Sequence, residues 1–297
     1  MQHITVIGAG TMGNGIAHIF AQNQFSVCLM DISEASLQKA LQTISANLER
    51  QIQKATLSEA QKDQALANIQ LSTDLQEAVA SADLVIEAAS ENLAVKLKIF
   101  ADLDSLCPPH TLLASNTSSI SITKIAAATQ RPQNVIGMHF FNPVPVMKLV
   151  EVINGYATAP ATSQAIVQLA TQLGKIPVQV NDYPGFAANR ILLPMLNEAF
   201  YALYEGIAGV EEIDQAMKLG MGHPMGPLQL ADFVGLDICL DILQVMHQGL
   251  GHPKYAPCPL LINMVAAGHL GQKSGMGFYD YSGGPKASRV ALRFRKT

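Results

Sequence analysis

The sequence contains only four cysteines in 297 residues, and no two of them form a C-x-x-C pair. They are Cys28, Cys107, Cys239 and Cys258. Such scattered thiols favour neither a disulfide framework nor a zinc site. We therefore expect no metal site and a protein that works in a reducing cytoplasm.

Charge and long apolar runs are also scarce. Asp, Glu, Lys and Arg make up 14% of the chain, and the formal net charge is −4, which provides no electrostatic argument for a nucleic-acid partner. No apolar run approaches the ~18 residues that span a bilayer, and the first residues resemble a strand rather than a signal peptide, so we expect no membrane partner. Apolar residues make up 49% of the chain, which indicates a globular protein.

Short β-branched runs alternate with helix-period segments through the first part of the chain. The runs are residues 4–7, 26–30, 69–72, 84–88, 111–114, 135–140, 149–153 and 176–180. This alternation predicts an α/β fold with a Rossmann-like, mostly parallel, doubly wound sheet.

The segment between the second and third runs is longer than a nucleotide-binding fold needs. Apolar residues recur there at helical spacing, namely Leu37, Leu41, Ile44, Leu48 and Ile52. They predict one face of a long helix, and residues 56–59 resemble a capping box that opens another. We interpret this long helical crossover as an excursion toward a substrate.

The pattern changes at residues 181–185, N-D-Y-P-G. The Pro-Gly pair predicts a domain boundary, with domains at 1–183 and 184–297. Strand-like runs then give way to helical spacing, so we expect an all-α second domain. Its apolar-faced helices at 186–204 and 210–219 offer surface for self-association.

The first strand leads into G-A-G-T-M-G, in which Thr11 and Met12 lie between glycines. Gly8 and Gly10 permit a tight turn and a close approach to a pyrophosphate, and Gly13 permits close helix packing. Asp31, near the end of the second strand, can accept hydrogen bonds from both ribose hydroxyls and would repel a 2′-phosphate. The motif predicts NAD rather than NADP.

An apolar stretch at residues 138–152, M-H-F-F-N-P-V-P-V-M-K-L-V-E-V, carries a histidine and a carboxylate near its ends. Pro143 and Pro145 predict a rigid loop between two strands, which can bring His139 beside Glu151. Such a pair is suited to proton transfer, because the carboxylate fixes the tautomer and stabilises imidazolium. The alternative is a histidine packed in the core.

Six motifs follow one another along nearly the whole chain. They are G-x-G-x-M-G-x-G-I-A at 8–17, E-A-A-S-E-N-L-x-x-K at 87–96, S-N-T-S-S at 115–119, H-F-F-N-P-V-P-V-M-K-L-V-E-V at 139–152, P-G-F-x-x-N-R at 184–190 and G-P-x-x-L-x-D-x-V-G-L-D at 226–237. With these motifs the sequence resembles the 3-hydroxyacyl-CoA dehydrogenase family, in its single-function form.

The resemblance implies interconversion of an (S)-3-hydroxyacyl-CoA, with a short chain such as 3-hydroxybutyryl, and the 3-ketoacyl-CoA. Hydride would pass to or from NAD. His139 would move the hydroxyl proton, and Glu151 would orient the imidazole. Ser118 matches a residue that contacts the substrate and the nicotinamide, and Asn189 matches a second donor to the same oxygen or to the thioester carbonyl.

The resemblance also implies further contacts and a homodimer. Four residues match NAD contacts of the family: Glu91, Lys96, Asn142 and Lys273. Lys54 matches a basic contact to coenzyme A, and Asn47 stands where the neighbouring contact falls.

Three other kinds of protein share part of this pattern. Dehydrogenases of the 3-hydroxyisobutyrate and 6-phosphogluconate type resemble one another in using a lysine early in the interdomain helix, and residues 184–204 contain none. A crystallin-like relative would oxidise a sugar acid such as gulonate. A non-catalytic relative would bind nucleotide without turnover.

Overall fold

The computed structural model of the chain describes residues 1–284 and 289–295. The chain divides into two compact units, Met1–Tyr183 and Pro184–Thr297. Each unit has its own hydrophobic core of buried aliphatic and aromatic side chains.

The first unit is built on one eight-stranded sheet, with the strand order β3-β2-β1-β4-β5-β6-β7-β8. The strands are β1 (His3–Ile7), β2 (Ser26–Met30), β3 (Ile69–Ser72), β4 (Leu84–Glu87), β5 (Leu112–Ser115), β6 (Val135–Phe140), β7 (Leu149–Asn154) and β8 (Ile176–Asn181). Neighbouring strands are parallel except for the antiparallel pair β6 and β7. The predicted Rossmann-like sheet is confirmed, and each predicted run agrees with a strand to within one residue at either end.

Seven helices connect these strands. They are α1 (Thr11–Gln22), α2 (Glu34–Gln53), α3 (Glu59–Ala67), α4 (Leu75–Val79), α5 (Leu93–Leu106), α6 (Ile122–Ala126) and α7 (Pro160–Gln172). The first of them buries Ile16 and Phe20 in the core of this unit. Helix α1 therefore lies close to the sheet at the point where the glycine-rich motif ends.

The long crossover consists of α2 and α3. Helix α2 buries Leu37, Ile44 and Leu48, three of the five residues from which its apolar face was predicted. The capping box was predicted at residues 56–59, and that position is wrong. The Ser58 side chain caps α3 together with Gln61, because the Thr56 hydroxyl instead donates to the Gln51 carbonyl at the end of α2.

The second unit is largely helical, as predicted. Its helices are α8 (Ala188–Tyr204), α9 (Val210–Gln215), α10 (Pro227–Val234), α11 (Leu236–Leu250) and α12 (Pro259–Ala266). It also contains a short antiparallel ribbon, β9 (Tyr279–Asp280) with β10 (Arg289–Val290), so it is not wholly helical. Strands of two residues are too short to produce a readable alternation of apolar and polar positions.

Two buried aspartates organise the second unit. Asp214 accepts hydrogen bonds from the Leu228 amide at 2.8 Å and from the Tyr279 hydroxyl at 2.7 Å. Asp232 accepts from the amides of Phe278 and Tyr279 at 3.0 and 2.9 Å. Burial raises the pKa of Asp232 to about 6, against the opposing effect of these donors. The two carboxyl groups thus tie helix α10 to β9 and to the residue before it.

None of the helices in the two described ranges is long and apolar enough to cross a membrane. The four cysteines carry free thiols, and three of them, Cys107, Cys239 and Cys258, are buried.

His18 on α1 generates a prediction about acid stability. The side chain is 1% exposed, and burial lowers its pKa from 6.5 to about 4. The unfolded chain would bind a proton near the ordinary pKa while the folded chain would not, so stability should fall as the pH drops from about 6.5 to about 4. His18→Gln should remove up to roughly 3 kcal/mol of that loss.

Urea unfolding at pH 7.5 and 5.0 measures this effect as a difference in unfolding free energy. His110→Gln is the comparison variant, because the His110 side chain is 65% exposed and its replacement removes no buried imidazole. An equal pH dependence in wild type and His18→Gln would contradict the prediction.

Candidate active site

The glycine-rich turn between β1 and α1 has two glycines that the chain itself requires. Gly8 has a φ of 98°, and a Cβ added there would lie 2.7 Å from the Ala88 carbonyl oxygen. A Cβ added at Gly13 would lie 1.7 Å from the Gly8 carbonyl oxygen. The turn can form only if both positions lack a side chain.

Gly10 differs from these two glycines. A Cβ added there would have no other heavy atom of the chain within 4 Å. Helix α1 begins at the next residue, and it has neither a side-chain cap nor an acidic residue in its first turn. Its first residues, Thr11 and Met12, line a cleft, so the free N–H groups of this helix end are available to an anion.

Asp31 lies at the end of β2, beside this turn. Its Oδ2 accepts from the Ala9 amide at 2.8 Å, and its Oδ1 accepts from the Ser33 amide at 2.9 Å. These bonds hold the carboxylate at the edge of a cleft of about 910 Å³, whose wall includes Gly10 and the 90% exposed Ile32. The residues fit a dinucleotide, with phosphate at the helix end and a ribose at Asp31. Sequence reasoning missed Ile32, although an apolar residue directly after the acid was visible.

The antiparallel pairing of β6 and β7 sets His139 directly opposite Glu151. The His139 Nδ1 lies 2.9 Å from Oε2 of Glu151, and both residues are buried. In a neutral imidazole this contact is an Nδ1–H donating to the carboxylate, which puts the basic lone pair on Nε2. The two side chains therefore make the contact that the sequence predicts.

The connection between these strands is a hydrogen-bonded turn at residues 142–147, the proline turn. Its Asn142–Pro143 peptide bond is cis, and the amides of Val146 and Met147 both donate to the Pro143 carbonyl at 2.9 Å. Val144 is buried against α1, where a Cβ added at Gly15 would lie 2.9 Å from the Val144 Cβ. The proline turn is thus packed on the helix that follows the glycine-rich motif.

Ser118 lies in the turn after β5, and Glu91 holds that turn. Glu91 Oε1 accepts from the Ser118 amide at 2.9 Å, from the Ser118 hydroxyl at 3.2 Å and from the Thr117 hydroxyl at 2.6 Å. The Asn116 side chain accepts from the Phe140 amide at 2.9 Å, which links the same turn to the strand of His139. Sequence reasoning missed the contribution of Asn116, which lies within the S-N-T-S-S motif.

Lys96 is 1% exposed, and its Nζ lies 2.8 Å from both carboxylate oxygens of Glu87. It also lies 3.4 Å from Oε2 of Glu91. Burial by itself would raise the pKa of Glu91, but Lys96 and the donors of the Ser118 turn outweigh it and the pKa is lowered. The Lys96 ammonium is thus engaged within the protein, and its assignment as a cofactor contact stays a prediction.

A second cleft, of about 520 Å³, lies between α2 and the proline turn. Its lining includes Lys39, Thr43 and Asn47 from α2, and Asn142 and Val144 from the turn. We refer to it as the α2 groove. Lys54 is exposed at the carboxyl end of α2 and is not part of the lining.

Two predicted site residues belong to the second unit. Asn189 is buried in the first turn of α8. The Lys273 ammonium lies 2.6 Å from Oδ2 of Asp237. The predicted roles of both residues stay predictions. Within residues 1–284 and 289–295, no group of three or more His, Cys, Asp or Glu side chains could hold a metal ion.

Comparison with known proteins identifies the family. Residues 3–183 match the NAD binding domain of 3-hydroxyacyl-CoA dehydrogenase, and residues 185–281 match its C-terminal domain. The chain is 55% identical over 281 residues to a probable 3-hydroxybutyryl-CoA dehydrogenase of Bacillus subtilis, covering 95% of this chain and 98% of the relative. It is 53% identical over 283 residues to 3-hydroxybutyryl-CoA dehydrogenase of Bradyrhizobium diazoefficiens, covering 95% and 96%.

A solved structure agrees with these sequence matches. The crystal structure of (S)-3-hydroxybutyryl-CoA dehydrogenase PaaH1 from Ralstonia eutropha is similar with a TM-score of 0.93 and 51% identity, covering 95% of this chain and 99% of that one. The chain belongs to the 3-hydroxyacyl-CoA dehydrogenase family of NAD-dependent oxidoreductases. The predicted family and the predicted cofactor, NAD, are confirmed.

Asp31 should decide between the two nicotinamide cofactors. In Asp31→Asn the charge is lost, so NADH affinity should fall about tenfold while repulsion of the NADPH 2′-phosphate disappears. Fluorescence titration with NADH and NADPH measures the ratio of the two affinities. Glu34→Gln, at an exposed carboxylate in the first turn of α2, is the control. An unchanged ratio in Asp31→Asn would show that this residue does not set the preference.

Proposed function

We propose that the chain interconverts (S)-3-hydroxybutyryl-CoA and acetoacetyl-CoA. The observation that carries the proposal is the buried 2.9 Å contact between His139 and Glu151, in the same unit as the NAD-binding motif. The printed names of relatives more than 50% identical over nearly the whole chain support the same substrate.

In this reaction bound NAD⁺ supplies the hydride acceptor. His139 accepts the proton of the 3-hydroxyl at Nε2 during oxidation and returns it during reduction. Glu151 holds the Nδ1–H and stabilises the imidazolium as it forms, and its effect is strengthened because both residues are buried. General acid–base help of this kind accelerates a reaction by about 10²- to 10⁴-fold.

Two neutral donors complete the proposed catalytic set. Ser118 and Asn189 donate hydrogen bonds to the reacting oxygen, where negative charge develops. One such donor contributes on the order of 3 kcal/mol. The bonds from the Ser118 amide and the Thr117 hydroxyl to Glu91 support this role, since they fix the turn that carries the Ser118 hydroxyl. The Ser118 hydroxyl has one proton, so its own 3.2 Å bond to Glu91 is exchanged for the bond to the substrate.

The cofactor contacts fall into two groups. Gly8, Gly10, Thr11, Met12, Gly13 and Asp31 form the cradle for the phosphates and the adenosine ribose. We assign the nicotinamide half to Ser118, Asn142, Glu91, Lys96 and Lys273. Asn142 is exposed on the proline turn and lines a cleft together with Gly10 and Thr11 of the cradle, which supports its assignment.

Coenzyme A is the polyanionic part of the proposed substrate. We assign its phosphates to Lys54 and its neighbouring contact to Asn47. The α2 groove supports this, since Asn47 and Asn142 line the same cleft and Lys54 lies exposed at the end of the same helix.

We further propose a cytoplasmic homodimer in which the second unit, residues 184–297, contributes to substrate binding and to the dimer contact. Exposed apolar side chains on α8 and on the segment that follows it, Ile191, Tyr204 and Ile207, support the dimer contact. The free thiols support a reducing compartment.

Turnover with defined substrates tests the proposal. Oxidation of NADH should accompany reduction of acetoacetyl-CoA, with a higher kcat/KM than for C8 and C16 3-ketoacyl-CoA. A greater NAD⁺-dependent rate with gulonate than with 3-hydroxybutyryl-CoA would favour the sugar-acid alternative. Binding of NADH without turnover of any of these substrates would indicate a non-catalytic relative.

His139 provides the sharpest test of the mechanism. His139→Gln should lower kcat by at least about 10²-fold, because proton transfer is lost. The dissociation constant for NADH should change by less than about twofold, because the residue lies outside the dinucleotide cradle. Stopped-flow kinetics and NADH titration measure the two quantities, with His110→Gln as the control. A parallel loss of NADH binding would indicate a structural histidine instead.

A further inference from the structure

Lys175 is a buried lysine that the proposed mechanism does not use. It lies between α7 and β8 and is 7% exposed. Its Nζ donates to the Val144 carbonyl at 2.5 Å and to the Met147 carbonyl at 2.8 Å. Within the described ranges of the chain, no carboxylate forms an ion pair with it. Both of its hydrogen-bond acceptors belong to the proline turn.

Burying an ammonium group costs free energy, because the group loses its hydration and gains no opposite charge in exchange. Burial accordingly lowers the pKa of Lys175. A methionine would fill nearly the same volume without this cost. The hydrogen bonds to the two carbonyl groups of the proline turn thus offset the free-energy cost of burying the charge. Hydrogen bonds from a charged donor are stronger than those between neutral groups.

The proline turn is held on two further sides. Its two ends continue into β6 and β7, the strands of His139 and Glu151. Its Val144 packs against Gly15 of α1, where there is no room for a Cβ. Lys175 bonds the main chain of the same residue, Val144, whose side chain packs on α1. The turn is therefore clamped between the cofactor helix and a buried cation, and it forms one wall of the α2 groove.

We propose that Lys175 is a positioning residue for the dehydrogenase reaction. It fixes the main chain of the proline turn and thereby the placement of Asn142 and the spacing of the strands that carry His139 and Glu151. This inference rests on the proposed function, because it assigns Lys175 an effect on turnover through the turn rather than a contact with substrate.

Lys175→Met tests the assignment, since it keeps the volume and removes both the charge and the donors. The control is Leu173→Ala, which removes a buried side chain from the same connection and keeps the Lys175 ammonium that bonds the proline turn. We would measure kcat and KM with acetoacetyl-CoA, affinity for ADP-ribose, and amide hydrogen exchange of the peptide covering residues 141–149, all under conditions in which each variant is fully folded.

Lys175→Met should lower kcat at least tenfold and speed exchange of the Val146 and Met147 amides, with ADP-ribose affinity within twofold of wild type. Leu173→Ala should keep both kcat and turn exchange near the wild-type values. A kcat for Lys175→Met within twofold of wild type, or an equal loss in Leu173→Ala, would overturn the proposal.

A second variant and the wild-type activity separate the possible outcomes. Where Lys175→Met does not fold, Lys175→Gln replaces it: a shorter neutral donor should still give a lower kcat and faster turn exchange, and wild-type values for both would overturn the proposal. A wild-type protein without turnover on acetoacetyl-CoA would count against the proposed function. Hydrogen exchange of the turn would then still show whether Lys175 holds it.

Discussion

The site depends on one reversal of direction in an otherwise parallel sheet. Because β7 runs antiparallel to β6, residues on the two strands face each other in register, and His139 meets Glu151. A parallel crossover would have required a helix between the strands and would have separated the two residues in sequence. The short turn also places Asn142 next to the same pair of strands. A local feature of the topology thus brings the two side chains into contact.

Other interactions hold the neighbouring turns relative to that pair. Glu91 gathers the donors of the Ser118 turn, and Asn116 bonds the strand of His139. Lys175 donates hydrogen bonds to two main-chain carbonyl groups of the proline turn. A further buried charge pair contributes, in which the Lys96 ammonium bonds both carboxylate oxygens of Glu87. Charged hydrogen bonds in a region of low dielectric are strong and directional, which suits groups that must be held within a fraction of an ångström.

Buried charged groups also hold the second unit together. Asp232, the acid of the G-P-x-x-L-x-D motif, accepts hydrogen bonds from the amides of Phe278 and Tyr279 at the start of β9. A Cβ added at Gly277 would lie 1.9 Å from its Oδ1. Asp214 caps α10 through the amide of Leu228. The motif acid Asp232 is therefore explained by main-chain hydrogen bonding, and Gly277 by its close packing against that acid.

The sequence by itself determined the strands, the glycine-rich turn, the NAD preference expected from Asp31 and the family. These follow from periodicity, glycine placement and motif order, which are local along the chain. Only the tertiary structure showed that Lys96 is buried beside Glu87 and that Lys175 holds the proline turn. These pairings join residues nine and thirty-one positions apart. The partner of a buried charge depends on which segments the fold brings together, and neither residue type nor spacing encodes that.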